Sequence, residues 1–380
     1  MHRHKSHRTP WLLGAIIVVA VALGASTFAL FSAHHRPSPA AAVTVPTTKS
    51  GKPAIMEVTA ASPAPGASNV SPNSLISLTL SQPLAADSPM PQLDPPVQGT
   101  WERSSPTTLV FEPTTSFVPG ESESVVVPSG SAGLEGVDGE HPSTKLTVGF
   151  QIATGSTLRL QQLLAELGYL PLSFTPASST PVSALNEAVP QVGTFSWRWG
   201  GVQSFLSGLW SPGYSNVVTQ GAVMNFENVE NLTTDGVAGP KVWADLLQAV
   251  KTHSMDPNPY DYVYVQKTPG PETATVYREG QEVYSTLANT GIAAAPTPDG
   301  TWPVYARYRV TTMRGTNPDG TPYVDPGIPW VSYFNGGDAL HGYDRATYGW
   351  PQSLGCVEMP PANAAVVFPY TPIGTLVTVQ

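Results

Sequence analysis

The sequence predicts a mostly β, multidomain protein with one helical segment in its middle, and three observations carry that prediction. Forty prolines and 34 glycines stand against only 12% charged residues in 380, a balance that favours short strands and frequent turns over long helices. Short alternating apolar runs bounded by turn residues recur in two separate stretches, residues 53–152 and 260–380, as strands of half-buried sheets do. Between them Leu160, Leu163, Leu164 and Leu167 recur at i, i+3, i+4 and i+7, the period of a helix with one buried face. The length is enough for two or three domains with their own cores.

Taken in order, Trp11 to Phe31 is a run of 21 residues without a charge, preceded by Arg3, Lys5 and Arg8. About 20 apolar residues span a bilayer core, and the basic flank places the short N-terminal side in the cytoplasm. Residues 1–36 are therefore expected to be a cytoplasmic tail and single-pass membrane anchor, with the bulk of the chain extracytoplasmic. The alternative is secretion after cleavage of a signal peptide. Residues 37–52, rich in Pro, Ala, Ser and Thr without an apolar period, read as an extended linker. Over 53–152 the runs Ser74–Leu80, Thr108–Pro113, Ser124–Pro128 and Lys145–Phe150 predict a β-sandwich. Residues 153–255 are expected to be helical. One helix carries the leucines and stops at Gly168; a second runs from Thr219, as cap, to Val229; a third starts at Pro240, the favoured first position. A segment rich in Ser, Pro and Trp, Ser173 to Gln203, interrupts this part. Residues 256–380 return to strands, with Thr275–Tyr284 a hairpin turning at Glu279-Gly280 and further turns at Asp299-Gly300 and Asp319-Gly320.

The net charge is −9 and no Asp or Glu precedes Glu57, so the body of the chain is acidic and nucleic acid is excluded as a partner. Beyond residue 35 there are three histidines, His141, His253 and His341, far apart in sequence, and a single cysteine, Cys356. No cluster has ligand spacing, and no metal or organic cofactor is expected. Cys356 follows Gly355, which allows a tight turn that presents backbone N–H groups to a developing oxyanion. His341, fifteen positions earlier, is the candidate base, since an unassisted thiol with a pKa of about 8.5 is mostly protonated at neutral pH. The bland reading is a small buried hydrophobe; in an exported chain an unpaired cysteine points to use.

Several stretches carry family resemblances. SPAPGASNVSPNSLISLTLSQPL resembles bacterial immunoglobulin-like (Ig-like) modules, which serve as spacers. LQQLLAELGYLP and GAVMNFENVENLTTDGVAGPKVWADLL resemble the small helical peptidoglycan-binding module, from which this chain departs by the insert. Residues 260–380 resemble the L,D-transpeptidase catalytic domain of the YkuD type, through VYREGQEVYSTLANTG, PTPDGTWPVY and the pair ALHG and SLGCV. That last resemblance implies an acyltransferase of peptidoglycan biosynthesis. Cys356 would attack the stem peptide after its third residue, diaminopimelate, releasing D-alanine; His341 would be the base and Ser353 would orient His341 or its loop. The N–H groups of Gly355 and Cys356 would hold the oxyanion, and an amine of a neighbouring stem would take the acyl group. Leu354 stands where the family has histidine, and Glu358 where it commonly has arginine. A carboxylate at 358 is expected to repel a substrate carboxylate and leave its recognition to Arg345; Tyr333 and Tyr343 are expected to line the cleft. The same acyl-enzyme resolved by water would make the protein an L,D-carboxypeptidase, and loss of the chemistry would leave a wall-bound scaffold.

Overall fold

The computed structural model describes residues 55–380; the expected anchor and linker lie outside the described residues. Among the described residues no helix is long and apolar enough to cross a membrane.

The first part is a sandwich of two antiparallel sheets. Strands β1 (Val58–Ser62), β2 (Ile76–Leu80), β4 (Gly99–Ser105) and β5 (Thr108–Pro113) form one, in the order β1-β2-β5-β4; β3 (Gln92–Asp94), β6 (Ser122–Val127) and β7 (Leu146–Gln151) form the other, in the order β3-β6-β7. The pleat explains the core: Ile76, Leu78 and Leu80 of β2 are buried while Ser77 and Thr79 are not, and Leu109, Phe111, Val125 and Val148 meet them from the other strands. β4 escapes the sequence pattern because its GTWERSS buries no side chain fully. On β6 the inward parity that buries Val125 and Val127 also buries Glu123, whose Oε2 has no hydrogen-bond partner.

The middle part packs three helices, α1 (Thr157–Glu166), α3 (Val217–Val229) and α4 (Pro240–Thr252), around Leu163, Leu164, Phe226, Trp243 and Leu246. Ser156 caps α1 by accepting from Arg159 N at 3.0 Å, and Gly168, at φ +87°, ends it as expected. The cap of α3 is not Thr219. It is Asn216, whose Oδ1 accepts from Thr219 N at 2.9 Å, while Thr219 lies in the first turn and its hydroxyl accepts from Gln161 Nε2 at 2.9 Å. A hydroxyl buried against a neighbouring helix is therefore no cap signal. The insert folds into a hairpin, β8 (Leu172–Pro176) and β9 (Gly193–Trp197), followed by α2 (Gly200–Leu206). Phe205 of α2 stacks on Tyr264 at 4.5 Å between ring centroids and on Tyr262 at 5.5 Å, and meets Tyr277 at a tilt at 5.5 Å. Those tyrosines belong to the last part of the chain, so the insert joins the helices to it.

That last part holds two sheets. The first has the order β12-β11-β10-β18-β13, from β10 (Asp261–Gln266), β11 (Thr273–Arg278), β12 (Gln281–Leu287), β13 (Gly300–Pro303) and β18 (Leu376–Val379). The predicted hairpin is β11–β12, and positive φ at Glu279 (49°) and Gly280 (77°) makes its two-residue turn. The second has the order β14-β15-β16-β17, from β14 (Ala306–Thr316), β15 (Pro322–Asn335), β16 (Asp338–Gly342) and β17 (Val357–Met359). Val263, Val276, Phe334, Leu340, Val357 and Val377 fill the space between the sheets. A short helix, α5 (Pro361–Val367), follows β17. β14 and β15 run on past the sheet to a turn at Asp319-Gly320, and this overhang walls the site described next.

Candidate active site

β16 and β17 pair in parallel, with Leu340 opposite Val357, His341 opposite Glu358 and Gly342 opposite Met359. Alternation then sorts the side chains: Leu340, Val357 and Met359 enter the core, and His341, Glu358 and, two residues before it, Cys356 share the other face. His341, Cys356, Glu358, Arg345, Tyr343 and Asp325 are among the walls of one cavity of about 330 Å3. Leu354 also borders it.

The turn that carries Cys356 is fixed by hydroxyls. Ser353 Oγ donates to Cys356 O at 2.5 Å and accepts from Gly355 N at 3.2 Å. Ser353 N donates to Thr290 O at 3.0 Å, and Ser353 O accepts from Ile292 N at 2.9 Å. Thr297 Oγ1 donates to Gly355 O at 2.8 Å and accepts from Gly291 N at 2.8 Å. Gly355 sits at φ +116°, and a Cβ there would run into the carboxylate of Asp338. Ser353 thus shapes the turn that carries Cys356 and makes no hydrogen bond to His341. Its hold on the Gly355 N–H also occupies one of the two donors expected for the oxyanion.

His341 is 3% exposed. Its Nδ1 lies 3.0 Å from Gly342 O, and since a carbonyl only accepts, Nδ1 carries the proton and Nε2 is the free base. The Tyr343 ring stands edge-on to the imidazole, with centroids 6.1 Å apart. Burial lowers the His341 pKa. Burial pushes the Cys356 thiol up to about 12; an N–H of Ala339 opposes that shift, and the Asp338 and Glu358 carboxylates add to it. Both groups are therefore neutral at rest. Asp338, also on β16, is itself raised to about 6 by burial, with Asn335 Nδ2 donating to its Oδ2 at 3.3 Å.

Glu358, 5% exposed, is held by a bidentate guanidinium: Arg345 Nε to Oε2 at 2.8 Å and Nη2 to Oε1 at 2.9 Å, with Nη2 also donating to Gln352 O at 3.2 Å. The Glu358 charge expected to repel a substrate carboxylate is thus neutralised within the site, and Arg345 is not a free cation. Arg345 also lies 4.6 Å over the Tyr343 ring. Tyr343 lines the cavity, whereas Tyr333 lies outside its walls and packs with Cys356 against Met313, Ile328 and Ala339. Sequence reasoning missed Thr297 and Asp338, and the overhang residues Met313, Tyr323 and Asp325. Thr297 lay inside a stretch already singled out, but nothing local marked the others.

Residues 261–379 match the family model of the L,D-transpeptidase catalytic domain, and residues 52–151 that of a bacterial Ig-like domain. Neither match extends over the helices between them. Among solved structures, the catalytic domain of the Enterococcus faecium L,D-transpeptidase is 27% identical over 33% of this chain and 99% of its own, with a TM-score of 0.30. An L,D-transpeptidase from Mycobacterium smegmatis is 13% identical over 86% of this chain and 100% of its own, with a TM-score of 0.28. One from Mycobacterium tuberculosis is 13% identical over 85% and 97%, with a TM-score of 0.28. No curated protein matches this chain. The cavity bearing Cys356 and His341 therefore lies within the residues that match the L,D-transpeptidase catalytic domain, and the residues that match a bacterial Ig-like domain precede it in the same chain.

Proposed function

We propose that this protein cross-links peptidoglycan stem peptides outside the cytoplasm through a thioester on Cys356, with His341 as general base. The observation that carries this reading is the parallel pairing of β16 and β17, which turns both side chains into one cavity. His341 Nε2 takes the proton of Cys356 Sγ as the thiolate attacks the carbonyl of the stem's third residue. The imidazolium then gives that proton to the departing D-alanine nitrogen, leaving a thioester. The amine of a second stem attacks the thioester, losing a proton to His341, and the released thiolate recovers it. With the Gly355 N–H bonded to Ser353 Oγ, the Cys356 N–H is the principal donor to the oxyanion; a lost donor of this kind typically costs about 2.7–4 kcal/mol of barrier. Arg345 meets a stem carboxylate with the part of its guanidinium not engaged by Glu358, and Tyr343 flanks the chain.

The test is a muropeptide assay with the parent, Cys356→Ala and His341→Ala, paired with intact mass after exposure to a carbapenem. The parent forms cross-links after the third residue and one acyl adduct; Cys356→Ala forms neither, and His341→Ala loses cross-linking by at least about 100-fold, as expected for a lost base. Tripeptides without cross-links in the parent assign the site to a carboxypeptidase instead. A folded parent that takes no adduct leaves the protein a scaffold.

A further inference from the structure

Away from the active site, the insert builds a second cavity, of about 580 Å3. In the β8–β9 register Leu172 faces Trp197 and Phe174 faces Phe195, so these four side chains share one face of the hairpin. Trp210, from the turn after α2, meets Phe195 edge-on at 5.3 Å, and Phe174 and Phe195 lie 5.1 Å apart. The aromatic rings are half-buried: they pack against the core of the three helices and also line the cavity. Gln191 and the exposed Thr194 bring an amide and a hydroxyl to the wall.

No charged residue lines this cavity. An anionic polymer finds no cation there and a cationic one no carboxylate. A wall of aromatic faces with amide and hydroxyl groups beside them suits a neutral ligand with apolar faces and polar edges, which describes a pyranose ring: its C–H face lies on an aromatic ring while its hydroxyls and acetamide meet the polar groups. A neighbouring cavity of about 720 Å3 shares Phe174 and Gln191 with this one; its own lining adds the charged Arg159, Glu166, Glu187 and Lys251, of which Lys251 is paired with Glu187 at 3.1 Å. The groove therefore continues past the length of one sugar and suits a strand.

We propose that this groove binds the glycan strand of the cell wall, a β-linked chain of N-acetylated hexoses. Naming the strand as wall glycan rests on the transpeptidase reading; the capacity for sugar does not. The full-length protein is titrated with chitohexaose, cellohexaose and a stem tetrapeptide, followed by calorimetry and tryptophan fluorescence. Chitohexaose is expected to bind, and the other two at least tenfold more weakly. Trp197→Ala and the rim variant Thr194→Lys, at an exposed position that leaves the fold intact, each weaken chitohexaose at least tenfold, while carbapenem acylation of Cys356 is unchanged. Absent chitohexaose binding, equal binding of cellohexaose or the tetrapeptide, or unaltered affinity in both variants overturns the proposal. Sugar binding in a parent that takes no acyl adduct would overturn the transpeptidase reading and leave the sugar site standing.

Discussion

Asp338 is half-buried, and its charge adds to the effect of burial on the Cys356 thiol. Its carboxylate abuts Gly355 and adds to the rise of the Cys356 pKa. As pH rises through about 6, Asp338 ionises and holds the thiol protonated more firmly. Asp338→Asn removes that charge, so the thiol pKa falls and alkylation of Cys356 by iodoacetamide at pH 8 speeds up several-fold; identical rates in parent and variant would refute this. That Cys356 and His341 would come together was legible from the sequence because the chain offers one cysteine and few histidines past residue 35, and both line one cavity. Asp338 was not, although it lies only three positions before His341. Its approach to the Cys356 turn is made by the parallel β16–β17 pairing and the positive φ of Gly355, neither of which has a local signature. The Arg345–Glu358 pair was half legible: both residues were singled out, but as opponents rather than partners, because a bidentate contact across 13 positions depends on the loop between them.

At the scale of elements, periodicity found the three long helices and the hairpin β11–β12, and it failed where burial is not periodic. β4 presents its polar side chains outward along nearly its whole length, and the insert's Ser- and Pro-rich composition concealed a hairpin whose two strands are joined by a long loop. The start of α3 shows a subtler failure. Asn216 and Thr219 are both cap-forming residue types three positions apart, and what separates them is Gln161 on α1, which claims the Thr219 hydroxyl. Asn216→Ala is expected to destabilise the protein by about 1 kcal/mol, the usual cost of a lost cap. Chemical denaturation measures it, and a change below a few tenths would return the cap role to Thr219.

For the whole molecule, the pH dependence of stability carries the mark of buried acids. Burial raises Glu123 in the sandwich to about 8 and Glu227 in α3 to about 7. A carboxyl whose folded pKa lies above its unfolded value of about 4.3 contributes fully below that value, and its contribution is lost as pH rises towards the folded pKa. The parent should therefore weaken between pH 5 and pH 8. Glu123→Gln removes part of that loss, so its advantage over the parent grows with pH to on the order of 1–3 kcal/mol at pH 8. An advantage that stays flat from pH 5 to pH 8 would show that Glu123 is already ionised in the folded protein.

The insert has a consequence of its own. α2 lies so close to the β11–β12 turn that a side chain at Gly201 would strike the Gly280 carbonyl, and Phe205 packs among three tyrosines of the neighbouring sheet. Contacts of that kind tie the helices to the last two sheets. With a sugar strand lodged in the aromatic groove and a stem peptide in the cavity of Cys356, the interval between the two would be constant. The protein would then act as a gauge, selecting which stem along a strand comes within reach of its thiol by spacing alone.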